Sequence, residues 1–199
     1  MDRRALLGRI LLLAGATLTA GGCSLVPGDG RDPDFKFSQS QFALLSAYAT
    51  TLVPSTDTPG ANDVDVAKNF ESLMRDWASG ERQQQIVSSL ETIDKLAREQ
   101  ANKGFADLDP VKREEILKPH DVAALKVVPP AEGEKRSMFE GPPIADPGYG
   151  KLKRLVLGLY FFSEPVQTEV FDYQHAPGRW DPSVPVTPET RPAGGTTFI

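Results

Sequence analysis

The side chains best suited to acid–base chemistry stand late in the chain, in Asp172-Tyr173-Gln174-His175. An imidazole with a carboxylate and a phenol close by can move a proton. No nucleophile or second carboxylate accompanies it at a telling spacing, so a hydrogen-bonded polar turn is the preferred reading. The other histidine, His120, follows Pro119 and precedes Asp121 near the expected end of a short helix, where a cationic side chain favours the helix C-terminus. Asp57, Asp63 and Asp65 offer oxygen ligands to a hard cation but lack the spacing of a calcium loop. Helix N-capping accounts for Asp63 or Asp65. The single cysteine, Cys23, excludes an internal disulfide, a CxxC redox pair, a four-cysteine metal site and a CxxCH haem attachment. Gly148, Gly150, Gly194 and Gly195 form no GxGxxG fingerprint. Glu114-Glu115 and the cluster from Lys151 to Arg154 read as solvated helix faces. The sequence thus predicts no catalytic, cofactor-binding or metal residue in this chain.

The 199 residues suit one domain with a real core. With 22 Lys+Arg against 27 Asp+Glu, the net charge is −5, which argues against nucleic acid as a partner. Residues 1–22 read as a signal peptide. Arg3, Arg4 and Arg9 precede the uncharged run Ile10–Gly22, whose 13 residues are too few for a membrane-spanning helix. Arg3-Arg4 followed by Ala5-Leu6-Leu7 resembles a twin-arginine signal, although Asp2 stands where Ser or Thr is usual. Such a signal predicts periplasmic export of already folded cargo. Cys23 after Ala20-Gly21-Gly22 resembles a lipobox, where the thiol takes a diacylglycerol; simple cleavage near Gly22 is the other reading. Residues 23–39, rich in Gly, Asp and Pro, read as a tether.

The body from 40 to 180 reads as mainly α: five or six amphipathic helices in one small bundle-like domain with long Pro/Gly-rich loops. Phe42, Leu45, Tyr48, Ala49 and Leu52 recur at three and four until Pro54. Val66, Phe70, Leu73, Met74 and Trp77 mark a second helix, stopped near Gly80, and Ile86 to Ala101 a third, ending at Gly104. Asp109-Pro110 opens a fourth through about Leu117. Leu152, Leu155, Val156, Leu159 and Phe162 trace a fifth, and Pro165 to Phe171 a short sixth capped by Ser163. No run alternates with period two, so no sheet is expected. Residues 127–150 form a long Pro/Gly-rich connection. Residues 181–199 form an extended, proline-rich arm.

Two stretches speak in combination. Leu52-Val53-Pro54-Ser55-Thr56-Asp57-Thr58-Pro59-Gly60-Ala61 leaves a helix through two prolines; it predicts a rigid corner, stiffened by Pro54 and Pro59, in which Gly60 allows a positive φ. Leu159-Tyr160-Phe161-Phe162-Ser163-Glu164 leads on to Asp172–Asp181, placing aromatic rings on a helix end and the loops beyond it. The corner, after a first amphipathic helix, resembles the hallmark of the gluconate 2-dehydrogenase subunit 3 family. The late segment is similar to that family's C-terminal part, with Leu159 and Phe161-Phe162 in place of the more usual glycine and tyrosines. The likeness runs in order from Gln41 to Pro185.

The resemblance implies a non-catalytic small subunit that binds a large flavoprotein of the glucose–methanol–choline oxidoreductase class. The large subunit carries FAD, has no export signal of its own, and crosses the membrane on the small subunit's twin-arginine signal. A cytochrome c subunit with haem often joins. In this reading Tyr160, Phe161, Phe162, Tyr173 and Trp180 contact the partner or support the contact, and the tail wraps it. The alternative is a free-standing envelope lipoprotein, tethered through Cys23, with a structural or binding role.

Overall fold

The computed structural model describes residues 30–130, 141–173, 178, 183 and 185–194. Arg3, Arg4, Cys23, His175 and Trp180 lie outside them. The described residues are mainly helical and contain no sheet, only two isolated bridges. Helix α1 spans Gln39–Leu52. Ser38 Oγ accepts from the Gln41 N–H at 3.2 Å while Gln41 Oε1 accepts from the Ser38 N–H at 3.0 Å, so two donors that the first turn leaves orphaned are satisfied reciprocally. Helix α2 spans Val66–Trp77 and α3 spans Gly80–Ala101. The Ser79 side chain caps α3, so Gly80 opens this helix rather than simply stopping the one before. The helix ends at Asn102, held left-handed at φ 54°, and not at Gly104.

Asp109 and Pro110 start α4 as the sequence predicts, with Asp109 Oδ1 accepting from the Lys112 N–H at 3.0 Å. The helix does not stop at Leu117. It continues through Pro119 to Ala124, because Ile116, Leu117 and Ala124 are buried on both sides of the proline and packing offsets the lost backbone donor. Helix α5, Pro147–Phe161, begins five residues before the first apolar position that traced it: Asp146 caps the Tyr149 N–H at 2.9 Å and Pro147 follows. The expected sixth helix is a single π-type turn, Val166–Val170.

Helix α5 packs against α2 and α3, and α1 against α2 and α3, with a 3-10 turn at Phe105–Asp107 closing the end of the bundle. Tyr48, Phe70, Phe105 and Tyr149 are wholly buried at its centre. Trp77, read as part of the inward stripe of α2, is instead 81 % exposed, since the chain is already turning out at the helix end. The stretch read as a tether is docked from Arg31 onward. Phe37 is buried against Phe70, its N–H donates to Glu71 Oε1 at 2.9 Å, and Asp32 exchanges two hydrogen bonds with the buried Gln83 side chain. An apolar ring immediately before the helix cap gains more from the core than a free linker gains in entropy. Among the described residues of the tail, Thr187 to Thr190 form a hydrogen-bonded turn, and the segment beyond it returns to the domain. The Asp172 N–H donates to the Pro192 carbonyl at 2.9 Å and the Gly194 N–H to the Asp172 carbonyl at 3.1 Å.

Candidate interaction site

The corner after α1 is fastened by one carboxylate. Asp63 Oδ2 accepts from Ser55 Oγ at 2.5 Å and from the Gly60 N–H at 2.7 Å. These two donors, the serine foremost, hold the Asp63 carboxyl below the usual carboxylate range. Asp63 is therefore not a helix cap. Asp65 occupies the capping position of α2, but in a left-handed conformation and without a side-chain cap bond. Further bonds brace the turn: Ala61 N–H to the Val53 carbonyl at 3.0 Å, and Ser46 Oγ to Asn62 Oδ1 at 2.9 Å. Gly60 does not adopt a positive φ. Its role is close approach, because a Cβ there would stand 2.5 Å from the Ser55 nitrogen. Ser55, Thr56 and Asp57 remain exposed at the tip.

The two sequence motifs meet here. Tyr160, at the end of α5, is 5 % exposed and donates its phenolic proton to the Pro59 carbonyl at 2.7 Å, across 101 residues of chain. Burial pushes its phenol above the ordinary value, so it stays a donor. Tyr160 thus supports the corner from beneath. Phe161 packs at 5.3 Å from the Tyr160 ring and 5.9 Å from Phe171. Phe162 is 36 % exposed and Tyr173 48 % exposed, so both reach solvent. Gln167 Nε2 donates to the Phe161 carbonyl at 2.5 Å, and the returning tail seats Gly194 beside it, where a Cβ would stand 2.6 Å from Gln167 Oε1.

A second polar centre lies at the other end of α5, and the sequence reading missed it. Tyr149 is wholly buried and donates to Asp121 Oδ1 at 2.8 Å; Lys153 Nζ lies 2.6 and 2.8 Å from the two oxygens of the same carboxylate. Lys153 therefore belongs to a partly buried ion pair rather than to a solvated face. The Tyr48 hydroxyl is buried beside the Tyr149 phenol without a hydrogen bond of normal geometry. His120 stands four residues before the end of α4, with its ring edge-on to Tyr149 at 4.6 Å and its Nε2 buried without a partner. It faces the interior and does not serve the helix C-terminus. The available signal was spacing: Asp121 follows Leu117 by four residues and precedes Ala124 by three, beside the buried face of α4. The exposed pairs Glu114–Lys118 and Lys112–Glu115 keep the solvated character expected of them.

A small helical domain, mainly α, with two distant motifs joined at a braced corner, is the class that fold and site define. The family model of gluconate 2-dehydrogenase subunit 3 matches residues 39–178, and the chain belongs to that family, an accessory subunit of a dehydrogenase. No curated protein and no solved structure gives a match to it.

Proposed function

We propose that this chain is the non-catalytic small subunit of an exported, flavin-dependent sugar or sugar-acid dehydrogenase of the glucose–methanol–choline type. It binds the large, FAD-carrying subunit and escorts it through twin-arginine export on the Arg3-Arg4 signal, to a periplasmic, membrane-associated site. Membrane association runs through the partner or through a lipid anchor on Cys23, and a cytochrome c subunit, where one joins the complex, passes the electrons onward.

The observation that carries this reading is the family match together with the meeting of its two motifs at Tyr160 and Pro59. The exposed Ser55–Asp57 tip stands on a corner braced by Asp63, through Ser55 and Gly60, and by Tyr160, through Pro59, and a surface ordered in advance loses little entropy on docking. Gentle affinity purification of the tagged chain from its own envelope fraction tests it. A flavin absorption spectrum and a stoichiometric large chain are expected, with haem bands if the cytochrome is present. A colourless chain recovered alone, under conditions that preserve complexes, overturns the escort reading in favour of the tethered lipoprotein.

A further inference from the structure

Helix α5 has two faces at helical spacing. Tyr149, Leu152, Val156 and Tyr160 form the buried one. Beside it run Gly150, Lys153, Arg154, Leu157, Gly158 and Phe161, again at intervals of three and four, and with Leu125 from the end of α4 they line an open groove of about 360 Å³. From Gly150 to Phe161 the groove follows α5 for roughly 16 Å, or three helical turns. Leu157 is half-buried and takes no part in the core. Apolar surface continues beyond both ends. Gly150 is seated on Ile144, which pairs with Val127, and Val127 is 59 % exposed; Phe162 follows Phe161 at the far end.

The charges in this groove are both cations, on a chain whose net charge is −5. Lys153 is engaged by Asp121, whereas Arg154 is exposed and makes no ion pair among the described residues. A guanidinium beside a half-buried apolar stripe is suited to a carboxylate carried next to apolar side chains. The length of the stripe suits the i, i+4, i+7 face of one amphipathic helix.

We propose that this stripe is a docking face for an amphipathic helix of the dehydrogenase's large subunit, with a carboxylate of that helix set against Arg154. The assignment rests on the escort reading above. It places binding affinity on Arg154 and Leu157, outside the aromatic residues that the sequence singles out.

The test compares the full tagged chain with Arg154→Glu, Leu157→Ala and the charge-matched control Lys95→Glu, a reversal on the exposed face of α3. Each is purified from the envelope and the flavoprotein recovered with it is quantified at rising salt. Arg154→Glu is expected to lower recovery roughly tenfold or more and Leu157→Ala several-fold, with circular dichroism and melting temperature unchanged. Arg154→Lys should retain part of the recovery, and Lys95→Glu nearly all. If the unmodified chain captures no flavoprotein, the escort reading fails and this assignment with it. If it captures flavoprotein and the groove variants behave like Lys95→Glu, binding stands and the groove is the wrong surface.

Discussion

The two tyrosines of α5 are tied down by opposite means. Tyr149 is fastened to a charged knot, its phenol sharing the Asp121 carboxylate with the Lys153 ammonium. Tyr160 is fastened to a neutral backbone carbonyl, that of Pro59. The first bond joins helix to helix inside the bundle, with the rings of Tyr48 and His120 against it. The second joins the bundle to an exposed corner. A member of the charged knot cannot be removed without stranding another, because a partly buried ion that loses its partner keeps its desolvation cost. The neutral bond can be removed alone. The Tyr149 end therefore governs whether the domain is folded, and the Tyr160 end governs how well one surface of a folded domain is ordered.

The largest effect expected is at the Tyr149 end. Tyr149→Ala leaves a cavity at a wholly buried ring and removes a donor from Asp121, and should cost about 3–5 kcal/mol in urea denaturation. Tyr160→Phe keeps the ring packing and removes only the bond to Pro59, so about 1 kcal/mol is expected. Its signature is local: faster amide exchange at Gly60 and Ala61, with the protection of α3 unchanged. The comparison breaks if Tyr160→Phe costs as much as Tyr149→Ala, or if it loosens α3 and the corner together.

What the sequence revealed follows the same division between local and distant. The cap at Asp109-Pro110 is legible because its donor, acceptor and proline lie within four residues. Asp146-Pro147 carries the same signal, yet it is obscured by the proline-rich connection in which it stands. Pro119 and Gly104 mislead because local preference yields to packing in one case and to a left-handed Asn102 in the other. The corner is recognisable as a motif, but its brace is not: the bond from Tyr160 to Pro59 joins residues 101 apart. Nor does the composition of Lys151–Arg154 say that Lys153 turns inward to Asp121 while Arg154 faces out.

The smallest effect expected is a pH dependence from His120, and it sharpens the contrast by acting at one end only. Burial penalises the imidazolium and holds His120 below its ordinary value of 6.5, with the Asp146 and Asp121 carboxylates pulling more weakly the other way. The unfolded chain therefore takes up a proton at a higher pH than the folded one. Stability from this group is complete above 6.5 and is lost as the pH falls from there through the lowered folded value. His120→Gln removes that linkage. Urea midpoints taken from neutral pH down to about pH 5, before most carboxylates titrate, should decline more steeply for the unmodified chain than for His120→Gln. Amide exchange over the same range should quicken in α4 around His120 and leave the Tyr160 corner unaffected, since no imidazole takes part in its brace. Parallel slopes for the two proteins would mean that the His120 site admits the imidazolium as readily as water does, and the dry, charge-averse interior assigned to the Tyr149 end would have to be given up.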